Sequence, residues 1–282
     1  MLAQFIYRLR RSPIIPALIL ATLVLSAIFA PWVAPYPPVK VDLANAMLPP
    51  FFQSGGSTAH LLGTDKVGRD ILSRVIYGGR VSLLLAGYVL LIGGTLGTVL
   101  GLVSGYMRGK ADAIIQRGVE AILSLPTIMV ALVFVFVLGQ SFISVVLILC
   151  PFIAARFARM VRGDALHIRN MGYVALARVA GASHTRIIFR HILPNVAGTL
   201  IVIATLEVGA LILVESSLSF LGVGVPPPTP AWGLMVSDGR EYLASKYWLT
   251  LFPGLAIVAT VLAVNWLGDW LRDILDPKRQ FL

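Results

Sequence analysis

The chain is poor in the residues that keep a soluble protein in water. Asp, Glu, Lys and Arg make up 13% of its 282 residues, about half the share of an ordinary soluble domain. Hydrophobic residues reach 57%, and the mean hydropathy is +0.86. A soluble fold of this length could not cover its surface with so few charges. That excludes a cytosolic enzyme and makes lipid the main solvent. Cysteine occurs once, as Cys150 in an apolar run, so neither an internal disulfide framework nor a Cys-based zinc site is available. No G-x-x-x-x-G-K-[ST] segment occurs, because the pair Gly109-Lys110 is followed by Ala111; the chain lacks a recognisable phosphate loop. H-E-x-x-H and G-x-S-x-G are also missing, and His60, His167, His184 and His191 do not have metal-ligand spacing. Neither a metal site nor membrane-enzyme chemistry is expected.

Acidic residues are scarcer than basic ones, 13 against 23, giving a net charge of +10. Such a balance can mark a nucleic-acid partner. Here the basic residues lie in short stretches between long apolar runs, the distribution that orients a membrane protein, and no nucleic acid is expected.

Six stretches are long enough to cross a bilayer, which needs about 20 predominantly apolar residues. They are expected near 13–34, 81–106, 116–138, 141–161, 196–221 and 249–271. The first opens with Ser12 as a candidate N-cap and Pro13 at the first helical position. Its apolar run outlasts a signal-peptide core and has no A-x-A site, so an uncleaved span is predicted. With the N-terminus inside, 16 of the 23 basic residues fall on the cytoplasmic side, which places both termini in the cytoplasm. Five outer basic residues lie between the first two spans. The amphipathic segment Val67–Tyr77 offers a reason: it reads either as a helix at the membrane surface or partner, or as a short helix packed in an outer loop.

Within the spans, Gly93, Gly97, Gly101 and Gly105 recur every fourth residue. They form a ridge that lets another helix approach closely, where lipid supplies no hydrophobic drive for association. Ionisable residues in lipid are costly and face a protein interior or a water-filled path. Glu120, one turn beyond Arg117, is a candidate local pair, and Asn265 and Asp269 are one turn apart. Glu207 and Glu215, with Ser216 and Ser219, are candidates for lining a translocation path.

Residues 162–195 form the longest cytoplasmic segment. Tyr173–Ala180 is a helix candidate stopped by Gly181. Ser183 can cap a second helix in which Arg186 and Arg190 sit one turn apart, and Pro194 is expected to end it. Two short helices hinged at a glycine, with apolar and cationic faces, suit either docking or contact with lipid headgroups.

The stretch Tyr173-Val174-Ala175-Leu176-Ala177-Arg178-Val179-Ala180-Gly181-Ala182-Ser183, followed by Arg190-His191-Ile192-Leu193-Pro194-Asn195, resembles the EAA loop of ABC importer permeases. Ala175 stands where that family usually has Glu, and Leu176 where it usually has Ala. Leu62-Gly63-Thr64-Asp65-Lys66-Val67-Gly68-Arg69-Asp70 and Glu215-Ser216-Ser217-Leu218-Ser219-Phe220-Leu221-Gly222 resemble signatures of dipeptide and oligopeptide permeases, C-type subunit. The resemblance implies an all-α, polytopic type I importer domain with six transmembrane helices in the bacterial cytoplasmic (inner) membrane. Residues 1–80 would form an N-terminal helix and extracytoplasmic segment, 81–271 the permease domain and 272–282 a cytoplasmic tail. It further implies a homologous second permease, two ABC ATPases that hold ATP and Mg, and an extracytoplasmic binding protein that delivers peptide. This chain would hold no cofactor. Tyr173, Ala175, Leu176, Ala177, Arg178, Gly181, Ala182, Ser183, Arg186, Arg190, His191, Leu193 and Pro194 would form the ATPase-coupling loop. Nickel chelates or glutathione are alternative cargoes, and an ion-coupled carrier or channel is the alternative class.

Overall fold

A computed structural model describes residues 13–275. Among them the chain is helical, with an isolated bridge between Thr64 and Asp70 as its one β feature. In chain order the main helices are α1 (Ile14–Ile28), α2 (Ile71–Met107), α3 (Gly109–Leu123), α4 (Thr127–Leu138), α5 (Phe142–Arg169), α6 (Gly172–Val179), α7 (His184–Phe220), α8 (Trp232–Gly239) and α9 (Trp248–Leu275). Helices α2, α5, α7 and α9 are each long and apolar enough to cross a membrane.

The expected third span is not one straight helix. It divides into α3 and α4, bent by 86°. The break falls at Ser124-Leu125-Pro126, where proline brings no N–H and restricts the residue before it. The first span is also shorter than expected: α1 has 15 residues and a further turn covers Ala30–Val33. Pro13 stands at the cap of α1 rather than inside it. Ser12, Arg8, Arg10, Arg11, Lys278, Arg279 and the tail beyond Leu275 lie outside the described residues.

Two further expectations are corrected. Val67–Asp70 is a turn, and α2 starts at Ile71 as the beginning of the second span. The face of this segment that carries Arg69, Asp70, Ser73 and Arg74 is buried, because Ser73 bonds Asp70 and both arginines find Asp65. Pro194 does not end the second loop helix. A π-helical stretch, Ile188–Ile192, widens the turn just before it. Pro194 then falls in the first turn of the next helical segment, where an N–H is not needed, and α7 runs on to Phe220.

The described residues fall into two compact units. The first comprises the residues up to Gly87, Ala131–Val145 and Val208–Leu267; the second comprises Tyr88–Val130, Val146–Glu207 and the residues from Gly268. In the first, Trp232 and Trp248 are almost wholly buried. The indole of Trp232 donates to the carbonyl of Val75 at 2.8 Å. Its ring lies where a Cβ on Gly78 or Gly79 would come within 2.7 or 2.9 Å.

In the second unit the glycine ridge of α2 lies along α5. A Cβ added at Gly93 would come 2.8 Å from the carbonyl of Cys150, and one at Gly101 would come 2.7 Å from that of Ala158. At Gly97 it would run into the Ala154 carbonyl, and at Gly105 into Ala165. The steady advance on both helices shows that α2 and α5 run parallel and end together, at Met107 and Arg169.

Candidate functional site

The second unit carries the loop region that the sequence singled out. Helix α6 ends in a Schellman motif: the N–H of Ala182 bonds the carbonyl of Ala177 at 3.0 Å, and that of Gly181 bonds Arg178 at 3.1 Å. Gly181 has φ +79°, and a Cβ there would meet nothing within 4 Å. Backbone conformation, not space, therefore requires the glycine. Ser183 begins the next helix by accepting the N–H of Arg186 through its hydroxyl at 3.3 Å.

This helix–turn–helix is anchored by Val174, Ile187 and Ile192, which are wholly buried against Leu102, Val161, Ala165 and Val196. The opposite face is open. Leu176 is 71% and Val179 87% exposed, and Tyr173 and Phe189 are also exposed. Ala175, Arg178, Gly181, Ser183, Arg186, Arg190 and Pro194 lie at the surface, and Ala177, Ala182, His191 and Leu193 are half-buried. Among the described residues, none of Arg178, Arg186 and Arg190 forms an ion pair. Exposed apolar residues and arginines without an ion-pair partner thus share this face.

Tyr106, which the sequence reading did not single out, is the hub beneath this surface. Its hydroxyl and His184 Nδ1 share a hydrogen bond of 2.8 Å. The guanidinium carbons of Arg169 and Arg178 lie 5.7 and 6.0 Å from its ring centroid, within reach of a cation–π interaction. Nearby, Arg162 makes a two-pronged bond to Asp112 at 2.6 and 2.8 Å, and Ser104 also donates to Asp112. This ties α2, α3 and α5 together. The pair expected between Arg117 and Glu120 is not formed; both side chains are exposed. No spacing rule connects Asp112 with Arg162, because the two meet only through packing.

The first unit holds a polar cluster that is complete in itself. Asp70 caps α2, accepting the N–H and hydroxyl of Ser73 at 2.8 and 2.7 Å, and its other oxygen lies 2.9 Å from His60 Nδ1. Asp65 accepts from Arg69 Nε at 2.6 Å and lies 3.6 Å from Arg74 Nε. Arg74 also donates to the carbonyl of Pro38, and Lys66 donates to Asp238 at 2.8 Å.

The candidate path residues separate. Glu215 is wholly buried in the first unit, where Ser82 and Ser219 donate to its two oxygens at 2.9 and 2.7 Å. Ser216 and Ser219 are buried beside it. These three face packed protein, not open space. Glu207, in the second unit, instead pairs with Arg156 at 2.8 Å and stays partly exposed.

Helices long and apolar enough to span a membrane, two of them joined through an exposed glycine-hinged turn, define a helical membrane protein. Residues 97–281 match the family of binding-protein-dependent transport system inner membrane components. Residues 1–50 match the N-terminal TM domain of oligopeptide transport permease C. The chain belongs to this family of ABC importer permeases, whose members work with ATPase, binding-protein and second permease partners. It is 45% identical over 252 residues to the dipeptide transport system permease protein DppC of Escherichia coli (strain K12), covering 89% of this chain and 84% of that protein. Against the dipeptide permease DppC of Haemophilus influenzae the identity is 39% over 274 residues, covering 97% and 93%. In fold it is similar to a chain of the MetNI methionine ABC transporter, with a TM-score of 0.54 at 19% identity over 69% of this chain and 91% of that one. Family membership sets aside the ion-coupled carrier and the channel.

Proposed function

We propose that this chain forms half of the translocation path of an ATP-driven importer for di- and oligopeptides, which an extracytoplasmic binding protein delivers. One observation carries the reading: the open apolar and cationic face of α6 and the start of α7, held rigid from below. A surface so exposed and so firmly anchored suits a groove on an ATPase subunit. Hydrolysis of ATP, with its Mg, would occur on two such subunits, since this chain has no phosphate loop. The peptide cargo is supported by the names of the dipeptide permeases that resemble the chain over most of its length.

The excess of basic residues in the loops supports a cytoplasmic position for 162–195 and for both termini, at the inner membrane. ATP binding would draw the ATPases together and shift the docked turns of both permeases. The spans would then pass between inward-facing and outward-facing states, each favoured by one ligand state. Glu207 is the acidic residue of α7 that suits a place along the path.

Gly181→Pro tests the coupling. Proline holds φ near −65° and has no N–H, so it removes both the left-handed turn and a Schellman bond. The expected result is an assembled complex in which ATP hydrolysis no longer drives peptide uptake in proteoliposomes. Transport at the normal ratio to ATP consumed would overturn the reading.

A further inference from the structure

Resting on the peptide reading above, we infer that Arg156 and Glu207 form a station on the inner half of the spans that meets the free carboxylate and ammonium of a peptide in transit. Arg156 directly follows the uncharged run Phe142–Ala155 of α5, toward the inner end of the expected 141–161 span, and Glu207 lies near the middle of the apolar run Leu193–Phe220. The two are paired at 2.8 Å, yet their side chains keep 39% and 15% of their exposure. Arg159, three residues further along α5, is exposed as well.

A cation within a span does not face hydrocarbon; it faces a water-filled path or a protein surface. Glu215, by contrast, is sealed on all sides among its serines. One cation and one anion side by side, each partly exposed, have the charge pattern that complements a zwitterion. A peptide carboxylate can bond the open edge of the Arg156 guanidinium, whose fork matches a carboxylate. The peptide ammonium then lies toward Glu207. Because the pair neutralises itself when empty, neither of its two charges stands alone between cargoes. Arg159 offers a second cation for the same carboxylate.

The test uses the whole complex reconstituted with its binding protein, with dialanine as probe. In a Cys150→Ser background, Glu207→Cys should be labelled by a membrane-impermeant methanethiosulfonate, with or without ATP, and dialanine with binding protein should slow the labelling. A thiol unreactive in both states would overturn the inference, because the position would then be sealed by protein. The second arm is the exchange Arg156→Glu with Glu207→Arg, which keeps an ion pair but reverses it. Uptake of dialanine is expected to fall about tenfold or more, as charge-assisted bonds to the cargo are lost. The double variant Arg156→Gln with Glu207→Gln should show the same loss, and co-purification of the ATPases checks that both variants assemble. Uptake by the exchanged pair at the native rate would mean that the pair is only a structural tie. If the unaltered complex moved no dialanine, the peptide reading itself would fail, and that control separates the two failures.

Discussion

The segment from His60 to Arg74 and the segment from Gly172 to Ile192 are both rich in charge, and they treat it in opposite ways. In the first, Asp65 serves Arg69 and Arg74, Asp70 serves Ser73 and His60, and Asp238 serves Lys66. In the second, three arginines have no ion-pair partner among the described residues, and apolar side chains stand in the open. The first segment closes on itself and acts as scaffold. The second leaves its arginines and apolar side chains at the surface, the pattern expected of the docking face proposed above. Charge content alone does not separate the two roles; the test is whether each charge finds its partner within the fold.

Breaking the closed cluster should have the largest effect on stability. Asp65→Asn leaves Arg74, only 2% exposed, without its carboxylate and Arg69 with Asp238 at 4.0 Å. Loss of one partner from a buried pair typically costs about 3–5 kcal/mol. The thermal unfolding transition of the detergent-solubilised complex should fall accordingly; an unshifted transition would show that Asp65 is not central.

Two glycines sharpen the contrast. Gly68 and Gly181 both have left-handed backbones, φ +81° and φ +79°, but a Cβ at Gly68 would run into the Asp42 carbonyl whereas at Gly181 it meets nothing. Gly68→Ala should therefore cost about 3 kcal/mol, conformational strain plus overpacking. Gly181→Ala should cost about 1–2 kcal/mol from strain alone. Equal shifts in unfolding temperature for the two variants would contradict the assignment of space as the second cause.

The smallest change in stability is expected at the open surface. Leu176→Asp removes an exposed side chain and should alter stability by no more than about 0.5 kcal/mol. Even so, the variant should lose its co-purifying ATPase subunits. Retention of the ATPases at normal stoichiometry would sink the docking role of this face.

Much of this was legible before any coordinates. The four-residue spacing of Gly93 to Gly105 identified a packing ridge because helical periodicity is local. Gly181 and Ser183 marked the ends of two helices for the same reason. Residues 67–77 misled because an amphipathic period says which residues share a face, not which face is buried. Proline misled at Pro194, where a π-helical stretch absorbed it, and broke a helix at Pro126, where none did. Tyr106 and its partners His184, Arg169 and Arg178 carried no signal, being brought together from separate helices.

Composition and periodicity by themselves determined that the chain lives in lipid, that it is helical, and that a glycine-hinged turn interrupts its spans. These follow from solvent transfer and backbone geometry, which act over a few residues at a time. Only the tertiary structure decided which charges are spent inside the fold and which remain available. It buried Glu215 among serines, left Glu207 and Arg156 open, and completed the cluster around Asp65. Pairing depends on distances between residues far apart in sequence, and those distances exist only once the helices have packed.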